Sequence, residues 1–185
     1  MKSICYKKGF TLPGIVWLLL ILIVSILIVF WVVKIETPRG ELSSFTYYSG
    51  SGPKQFIPER GKYKIIILFS MNCPYCMQYL TRLNRMQGQL PDVQYGLFTT
   101  DKIFFTSSIY ESCISLRQDS RFTIGILDVS TAYACFGDPP LPVTFIYDGE
   151  HKYVRSLRGD RDIRELLKWI PSNHKQHERK GVGNE

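Results

Sequence analysis

The stretch that decides the fold is IIILFSMNCPYCMQYL, residues 65–80. It opens with an uninterrupted apolar run at 65–69, which is typical of a buried strand. After three residues comes the motif Cys73-Pro74-Tyr75-Cys76, and the residues that follow it, 77–86, are compatible with a helix. The sequence therefore predicts a pair of cysteines at a turn from a strand into a helix.

A helix start gives the first cysteine of this pair a chemical role. The first turn of a helix presents unpaired backbone N–H groups and the positive end of the helix dipole, and both favour a thiolate over a thiol. We therefore expect Cys73 to be the nucleophile and Cys76 to close an internal disulfide with it. Pro74 suits the first helical position, because it has no N–H that would lack a partner there.

A Cys-x-x-Cys pair is also half of a zinc site. A structural zinc would need two further ligands, and the candidates Cys113, Cys135 and His151 form no second close pair. The ligand count favours redox chemistry over metal binding, so we expect no metal and no cofactor.

A second motif lies about seventy residues further along the chain. Residues 141–150 are LPVTFIYDGE, residues 152–159 are KYVRSLRG, and an amphipathic run follows at 162–170. This order predicts a proline, a buried strand, an Asp-Gly turn, a second strand and a closing helix.

Together with the Cys-Pro-Tyr-Cys motif, this pattern resembles the thioredoxin superfamily over residues 61–171. The resemblance implies an α/β, thioredoxin-like fold, with a central mixed sheet flanked by helices. It also implies a cis peptide bond at Pro142, packed against the active cysteines, and a Leu141 backbone that pairs with a substrate strand. We expect Tyr75 to tune access to the site and contact with the substrate.

The segment between the two motifs is longer than a minimal thioredoxin needs. It predicts a strand at 92–100, a helix at 107–117, a strand at 122–128 and a short helix at 129–136. The added strand and helix resemble the insertion of the TlpA-like group, which includes membrane-anchored thiol-disulfide oxidoreductases of cytochrome c maturation.

Two features depart from the family pattern. Ile67 stands six positions before Cys73, where thioredoxins carry a buried acid. The Pro-Tyr pair between the cysteines is more similar to a glutaredoxin. The sequence therefore assigns neither a proton acceptor for Cys76 nor the direction of electron flow.

A long uncharged segment lies near the N-terminus. No residue from Gly9 to Val33 is charged, and 15–33 is apolar apart from Ser25. At about 1.5 Å per residue, a helix of this length crosses a hydrocarbon core of about 30 Å. Lysines precede the segment and charges of both signs follow it, so the positive-inside rule places the N-terminus in the cytoplasm. We expect residues 1–33 to be a single-pass anchor in the inner (cytoplasmic) membrane, with a periplasmic or otherwise extracytoplasmic catalytic domain.

Two other interpretations of this segment stay open. One is a cleaved signal peptide, although the apolar run is longer than a usual h-region and ends without a pair of small residues. The other is type IV prepilin processing, because KKGFTL at 7–12 resembles the site that is cut after a glycine. Pro13 and Gly14 depart from that pattern, since a glutamate is expected where Gly14 stands.

Composition divides the rest of the chain. Residues 34–60 hold several glycines, prolines and serines and are predicted to be a linker. Residues 61–171 have the size of one domain, and 172–185 form a polar tail. The formal net charge is +7, but the basic residues lie beside the anchor or between acidic ones. We therefore expect no nucleic-acid partner.

The cysteine count fits this topology. Cys5 would lie on the cytoplasmic side, which leaves four cysteines outside. Cys113 and Cys135 are then a candidate structural disulfide between the inserted helix and the helix before Pro142. Two buried free thiols are the alternative.

These patterns predict a membrane-anchored protein thiol-disulfide oxidoreductase in which Cys73 attacks and Cys76 resolves the mixed disulfide. The expected partners are exported proteins that contain cysteines, and a membrane electron donor or acceptor. The alternative is a non-enzymatic thioredoxin-fold subunit of a secretion, conjugation or pilus-type assembly. The intact Cys-Pro-Tyr-Cys motif argues against it, because a scaffold does not need a redox pair.

Overall fold

The computed structural model describes residues 12–35, 40–159 and 163–170. The chain divides into two compact units, Met1–Thr37 and Pro38–Glu185. The first unit contains helix α1 (Leu12–Ile35), whose side chains are described over residues 16–28. Among the described residues, the structure shows no helix that is both long and apolar enough to cross a membrane.

The second unit is a mixed α/β structure built on one sheet. Its strands are β1 (Phe45–Ser49), β2 (Gly52–Phe56), β3 (Lys64–Leu68), β4 (Gln94–Thr99), β5 (Phe122–Ile126), β6 (Val143–Tyr147) and β7 (Tyr153–Arg158). Its helices are α2 (Pro74–Arg85), α3 (Ser108–Ser112), α4 (Ile114–Gln118), α5 (Val129–Phe136) and α6 (Ile163–Leu167). Short 3-10 turns lie at Gln87–Gln89 and Phe104–Thr106.

The strands lie in the order β2-β1-β5-β4-β3-β6-β7. The three central strands β5, β4 and β3 are parallel, whereas β6 runs antiparallel to β3 and β7 antiparallel to β6. The carboxyl ends of β3 and β4 and the amino end of β6 therefore meet at one edge of the sheet. The candidate site lies at this edge.

The sheet separates two apolar cores, because successive residues of a strand point to opposite faces. On β3, Ile65 and Ile67 belong to one core, which packs against α2, α4 and α6. Ile66 and Leu68 belong to the other core, which packs against α5 and the β1–β2 hairpin. All five residues of β3 are buried, as expected of a central strand that is covered on both faces.

Several predicted elements are confirmed. The helix predicted at 129–136 is α5, and the strand that follows Pro142 is β6, joined to β7 by a turn that contains the Asp-Gly pair. The helix predicted at 107–117 differs, since it is interrupted at Cys113 and forms α3 and α4. The closing helix is shorter than its amphipathic pattern, with α6 covering Ile163–Leu167.

The structure corrects the predicted linker at 34–60, because residues 45–56 form a β-hairpin that pairs with β5. The physical reason is an aromatic cluster: the rings of Phe45 and Phe56 stack at 5.1 Å, and both contact Phe98 of β4. Gly125 on β5 permits the close approach of β1, since a Cβ there would lie 2.6 Å from the carbonyl oxygen of Tyr48. Four of the glycines and serines that indicated a spacer, residues 49–52, lie at the hairpin turn.

The structure also corrects the candidate disulfide between Cys113 and Cys135. Both are free thiols. Cys113 lies at the α3–α4 junction, on the side of the sheet where Asn84 of α2 donates a hydrogen bond to the Ser112 carbonyl. Cys135 lies on α5 and packs against the core on the opposite face. Because the sheet lies between the two sulfurs, the alternative of two free thiols is the one observed.

Candidate active site

Cys73 occupies the position that the sequence predicts, at the turn from β3 into α2. It is the N-cap residue of α2, with extended backbone angles (φ −103°, ψ 109°), and Pro74 stands at the start of the helix. The Cys73 sulfur accepts a hydrogen bond from the backbone N–H of Cys76 at 3.3 Å. An N-cap oxygen of serine or threonine makes the same kind of bond, so the sulfur acts here as the capping atom. Cys73 is partly exposed, which leaves its sulfur accessible to another molecule.

Cys76 has a different environment, since it is completely buried in the core beneath the turn. Its sulfur accepts a hydrogen bond from the backbone N–H of Ser70 at 3.4 Å. Burial, together with a hydrogen bond to Cys73, raises the pKa of Cys76 to about 12. At neutral pH Cys76 is therefore a protonated thiol without access to large reagents. The attacking role of Cys73 and the resolving role of Cys76 stay predictions, and the two cysteines differ in exposure as those roles require.

The second predicted motif meets the first one at the sheet edge. The Leu141–Pro142 peptide bond is cis, as expected. The Cys73 thiol points at the carbonyl oxygen of Leu141 across 3.8 Å. Pro142 is buried, whereas Leu141 stays 38% exposed beside the accessible sulfur. Tyr75 is 62% exposed, and its contact with a substrate stays a prediction.

Asp101 is a site residue that the sequence analysis missed. It follows β4, and its Oδ2 accepts hydrogen bonds from the backbone N–H of Met71 at 2.6 Å and from the hydroxyl groups of Ser70 and Thr99, both at 3.1 Å. Asp101 thus fixes the segment that places the Ser70 N–H against the Cys76 sulfur. One signal could have found it: a carboxylate at the carboxyl end of the parallel strand next to β3.

A second missed feature ties α2 to β6 inside the core. The hydroxyl groups of Tyr79 and Thr144 lie 3.0 Å apart, and both side chains are buried. Tyr79 is three residues after Cys76 and Thr144 two residues after Pro142. This bond therefore connects the element that carries the cysteines to the element that carries the Leu141 carbonyl.

The structure also bears on the zinc alternative. Within the described ranges, no group of three or more His, Cys, Asp or Glu side chains could hold a metal ion. Cys113 and Cys135, two of the candidate ligands, lie on opposite faces of the sheet. These two cysteines therefore cannot join Cys73 and Cys76 in one four-ligand site.

The fold is similar to that of several solved structures. StoA of Bacillus subtilis superposes with a TM-score of 0.52 at 13% sequence identity, over 72% of this chain and 98% of that chain. A secreted disulfide oxidoreductase of Mycobacterium tuberculosis, described as homologous to E. coli DsbE, has a TM-score of 0.53 at 19% sequence identity, over 67% of this chain and 92% of that chain. The thioredoxin domain of a thiol-disulfide oxidoreductase of Bacteroides vulgatus has a TM-score of 0.54 at 18% sequence identity, over 73% of this chain and 98% of that chain.

No family model and no curated protein matches the sequence. The structural likeness nevertheless defines the class of fold: this chain has a thioredoxin-like fold, a mixed sheet with helices on both faces.

Proposed function

We propose that this chain is a protein thiol-disulfide oxidoreductase that acts through Cys73 and Cys76. The observation that carries the proposal is the pairing of an accessible N-cap sulfur with a buried thiol, directly beside the exposed residue Leu141. The fold supports it, because the solved structures with this fold include proteins described as disulfide oxidoreductases.

The reaction follows from the two environments. The Cys73 thiolate attacks one sulfur of a substrate disulfide, forms a Cys73–substrate S–S bond and releases the other substrate sulfur as a thiolate. Cys76 then loses its proton and attacks the Cys73 sulfur. The Cys73–Cys76 bond forms as the second substrate thiolate leaves. Two electrons pass from the protein dithiol to the substrate, and the reverse sequence oxidises a substrate dithiol.

We further propose a membrane location with the redox domain outside the cytoplasm. The support is the uncharged sequence from Gly9 to Val33, which is preceded by lysines. The Mycobacterium protein with the same fold is described as secreted, which agrees with an extracytoplasmic domain. The partners would be exported proteins that contain cysteines, and a membrane electron donor or acceptor that restores the starting redox state.

The location is tested with two measurements on the full chain. A reporter that is active only outside the cytoplasm, fused to the C-terminus, should give signal, and the protein should stay with membranes during alkaline extraction. Release of a shorter soluble form would contradict the anchor, and a mature N-terminus at Phe10 would support prepilin processing instead.

The activity is tested with the purified full chain in phospholipid nanodiscs and a disulfide-bonded protein substrate. Cys73→Ser should abolish exchange, and Cys76→Ser should accumulate a mixed disulfide that mass spectrometry detects. Cys113→Ser is the matched control, since it removes a buried free thiol outside the site and should retain exchange. If the parent protein exchanges with no substrate, the redox proposal is wrong and a non-enzymatic role for the fold takes its place.

A further inference from the structure

An open cavity of about 630 Å³ lies where the β1–β2 hairpin meets the amino end of β5, beside α3 and α4. We call it the edge cavity. The cysteines follow the carboxyl end of β3, and β3, β4 and β5 are parallel neighbours in that order. The edge cavity is therefore two strands away from the cysteines and at the opposite end of the sheet. The redox reaction proposed above does not use it.

Part of the outer edge of β5 lies open to this cavity. The β1–β5 ladder consists of one residue pair, Tyr48 with Ile126. On its other side β5 bonds to β4 through odd-numbered residues, as in the bond from the Leu127 N–H to the Thr99 carbonyl at 2.8 Å. Successive residues of a strand direct their backbone groups to opposite sides. Ile124, which lines the cavity, therefore directs its N–H and C=O toward it, where an extended peptide can pair with them.

The edge cavity is positively charged. The described residues that line it include two cations, Lys54 and Arg117, and no carboxylate. Both side chains are exposed, and within the described ranges neither forms an ion pair with a carboxylate. Charge complementarity therefore favours an anionic ligand.

Tyr110 holds Arg117 in an orientation that suits a carboxylate. The guanidinium carbon lies 3.9 Å from the centre of the Tyr110 ring, which is a cation–π contact. The Tyr110 ring itself packs edge-on against Phe105, with 5.1 Å between the ring centres. Because the donors of a guanidinium lie in its plane, a ring against one face leaves the N–H groups free for two parallel hydrogen bonds to a carboxylate.

The two cations lie on opposite faces of the sheet. Lys54 is the cross-strand partner of Tyr47, so the two side chains share the face that α5 covers. Arg117 lies on α4, whose Leu116 belongs to the core on the other face. Successive side chains of an extended peptide alternate between the two faces. Two adjacent acidic residues can therefore reach the two cations, one on each face.

We propose that the edge cavity binds an acidic segment of a partner protein, extended along β5, with two adjacent carboxylates that pair with Arg117 and Lys54. This inference goes beyond the redox function, because it assigns a docking site at the end of the sheet opposite to Cys73. The open backbone edge of β5 favours a peptide over a free inorganic anion.

The test uses the full chain in nanodiscs of a zwitterionic phospholipid and three dye-labelled hexapeptides. The first contains two adjacent glutamates among threonines and valines. The second has the same composition, but one valine separates its glutamates, and the third has glutamines in place of both glutamates. Fluorescence polarisation measures each dissociation constant. We expect the adjacent-glutamate peptide to bind about tenfold more tightly than the glutamine peptide, and about threefold more tightly than the separated one.

Three variants connect this binding to the cavity. Arg117→Gln and Lys54→Gln should each weaken binding of the adjacent-glutamate peptide about fivefold. Arg117→Lys, which keeps the charge but lacks the planar fork of donors, should restore only part of the affinity. The matched control is Arg60→Gln, which removes an exposed arginine outside the cavity and should keep the parent affinity. If Arg117→Gln does not fold, Lys54→Gln still decides the outcome.

The outcomes separate this proposal from its alternatives. Equal binding of the glutamine and adjacent-glutamate peptides, or parent affinity in the Arg117→Gln and Lys54→Gln variants, would overturn it. Equal binding of the two glutamate peptides would overturn the extended placement along β5. If tripolyphosphate binds more tightly than any peptide and Arg117→Gln abolishes that binding, the cavity is a site for inorganic polyanions and the proposal is wrong. The peptides contain no cysteine, so a failure of the redox function leaves these results unaffected.

Discussion

Asp101 offers a sharp test of how the site controls Cys76. Its carboxylate accepts bonds from the Met71 N–H and the Ser70 hydroxyl, and so holds the segment whose Ser70 N–H bonds to the Cys76 sulfur. That N–H···S bond lowers the pKa of Cys76, whereas the negative charge of Asp101 raises it, both within a larger upward effect of burial. The two contributions of Asp101 therefore have opposite signs, and two substitutions can separate them.

Asp101→Ala removes both contributions and releases the segment. A hydrogen bond to a charged group contributes about 1.5 kcal/mol at the lower end, and each 1.36 kcal/mol is a tenfold change in the thiolate fraction. The Ser70 bond affects the pKa of Cys76 more than the Asp101 charge does, so its loss outweighs the loss of the charge. We therefore expect Cys76 to attack more slowly, by up to about tenfold, at any pH below about 12, the pKa of its thiol. Asp101→Asn keeps an acceptor for the Met71 N–H but removes the charge. It should therefore resolve at least as fast as the parent protein.

The assay uses a chromogenic aromatic disulfide. The first chromophore is released when Cys73 is modified, and the second when Cys76 resolves the mixed disulfide. Stopped-flow measurement of the second release against pH gives the rate at which Cys76 resolves the mixed disulfide. Cys76→Ser, which lacks the second release, is the control. Circular dichroism checks that both variants fold. Equal second-phase rates in all three proteins, or a slower Asp101→Asn variant beside an unchanged Asp101→Ala variant, would refute the reasoning.

Two further predictions concern stability and thiol accessibility. Arg121 forms an ion pair with Asp119 at 2.7 Å and donates hydrogen bonds to three backbone carbonyls. Arg121→Ala should therefore lower the free energy of unfolding by about 3 kcal/mol, measured by denaturant unfolding. The control Arg60→Ala, at an exposed arginine, should change it little. The Arg121 guanidinium holds the pKa of Asp119 well below its usual range. The stability that the ion pair adds is therefore fully present above about pH 4, the pKa of an unfolded aspartate, and is lost as the pH falls. An acid-unfolding profile that Arg121→Ala leaves unchanged would contradict this prediction. At pH 7 to 8, iodoacetamide should modify Cys73 well before Cys76, because burial keeps Cys76 protonated. Peptide mapping that shows Cys76 to be modified first would reverse the assigned roles.

The parts of the fold that were predictable have local signals. An apolar run before Cys-Pro-Tyr-Cys indicates β3, the following turn and α2, because a buried strand and a helix start leave their patterns in neighbouring residues. The same holds for the proline, strand and Asp-Gly turn that became β6 and β7.

The parts that were missed depend on residues far apart in the chain. Glycine and serine in 49–52 are equally suited to a linker and to a hairpin turn, and the ring of Phe98, more than forty residues later, favours the hairpin. Asp101 accepts a hydrogen bond from Met71, 30 residues earlier in the chain, and no hydrophobic periodicity predicts contacts at such a sequence separation. The candidate disulfide followed from a count of cysteines, which contains no information on the face of the sheet that each one occupies.

The position of the Leu141 carbonyl shows why the sheet, and not the cysteine loop, determines the site. Leu68 pairs with Val143 across the β3–β6 ladder, and with Phe98 across the β3–β4 ladder. A shift of two residues in the first ladder would keep every side chain on its face but would move Leu141 by about 6.6 Å along the strand, since each residue advances about 3.3 Å. The 3.8 Å contact between the Cys73 sulfur and the Leu141 carbonyl would then be lost without any change in the Cys-Pro-Tyr-Cys motif. The Tyr79–Thr144 hydrogen bond opposes such a shift, because it fixes β6 against α2 within the buried core. In the proposed reaction, the position of Leu141 beside Cys73 therefore depends on a hydrogen bond in the buried core beneath the site.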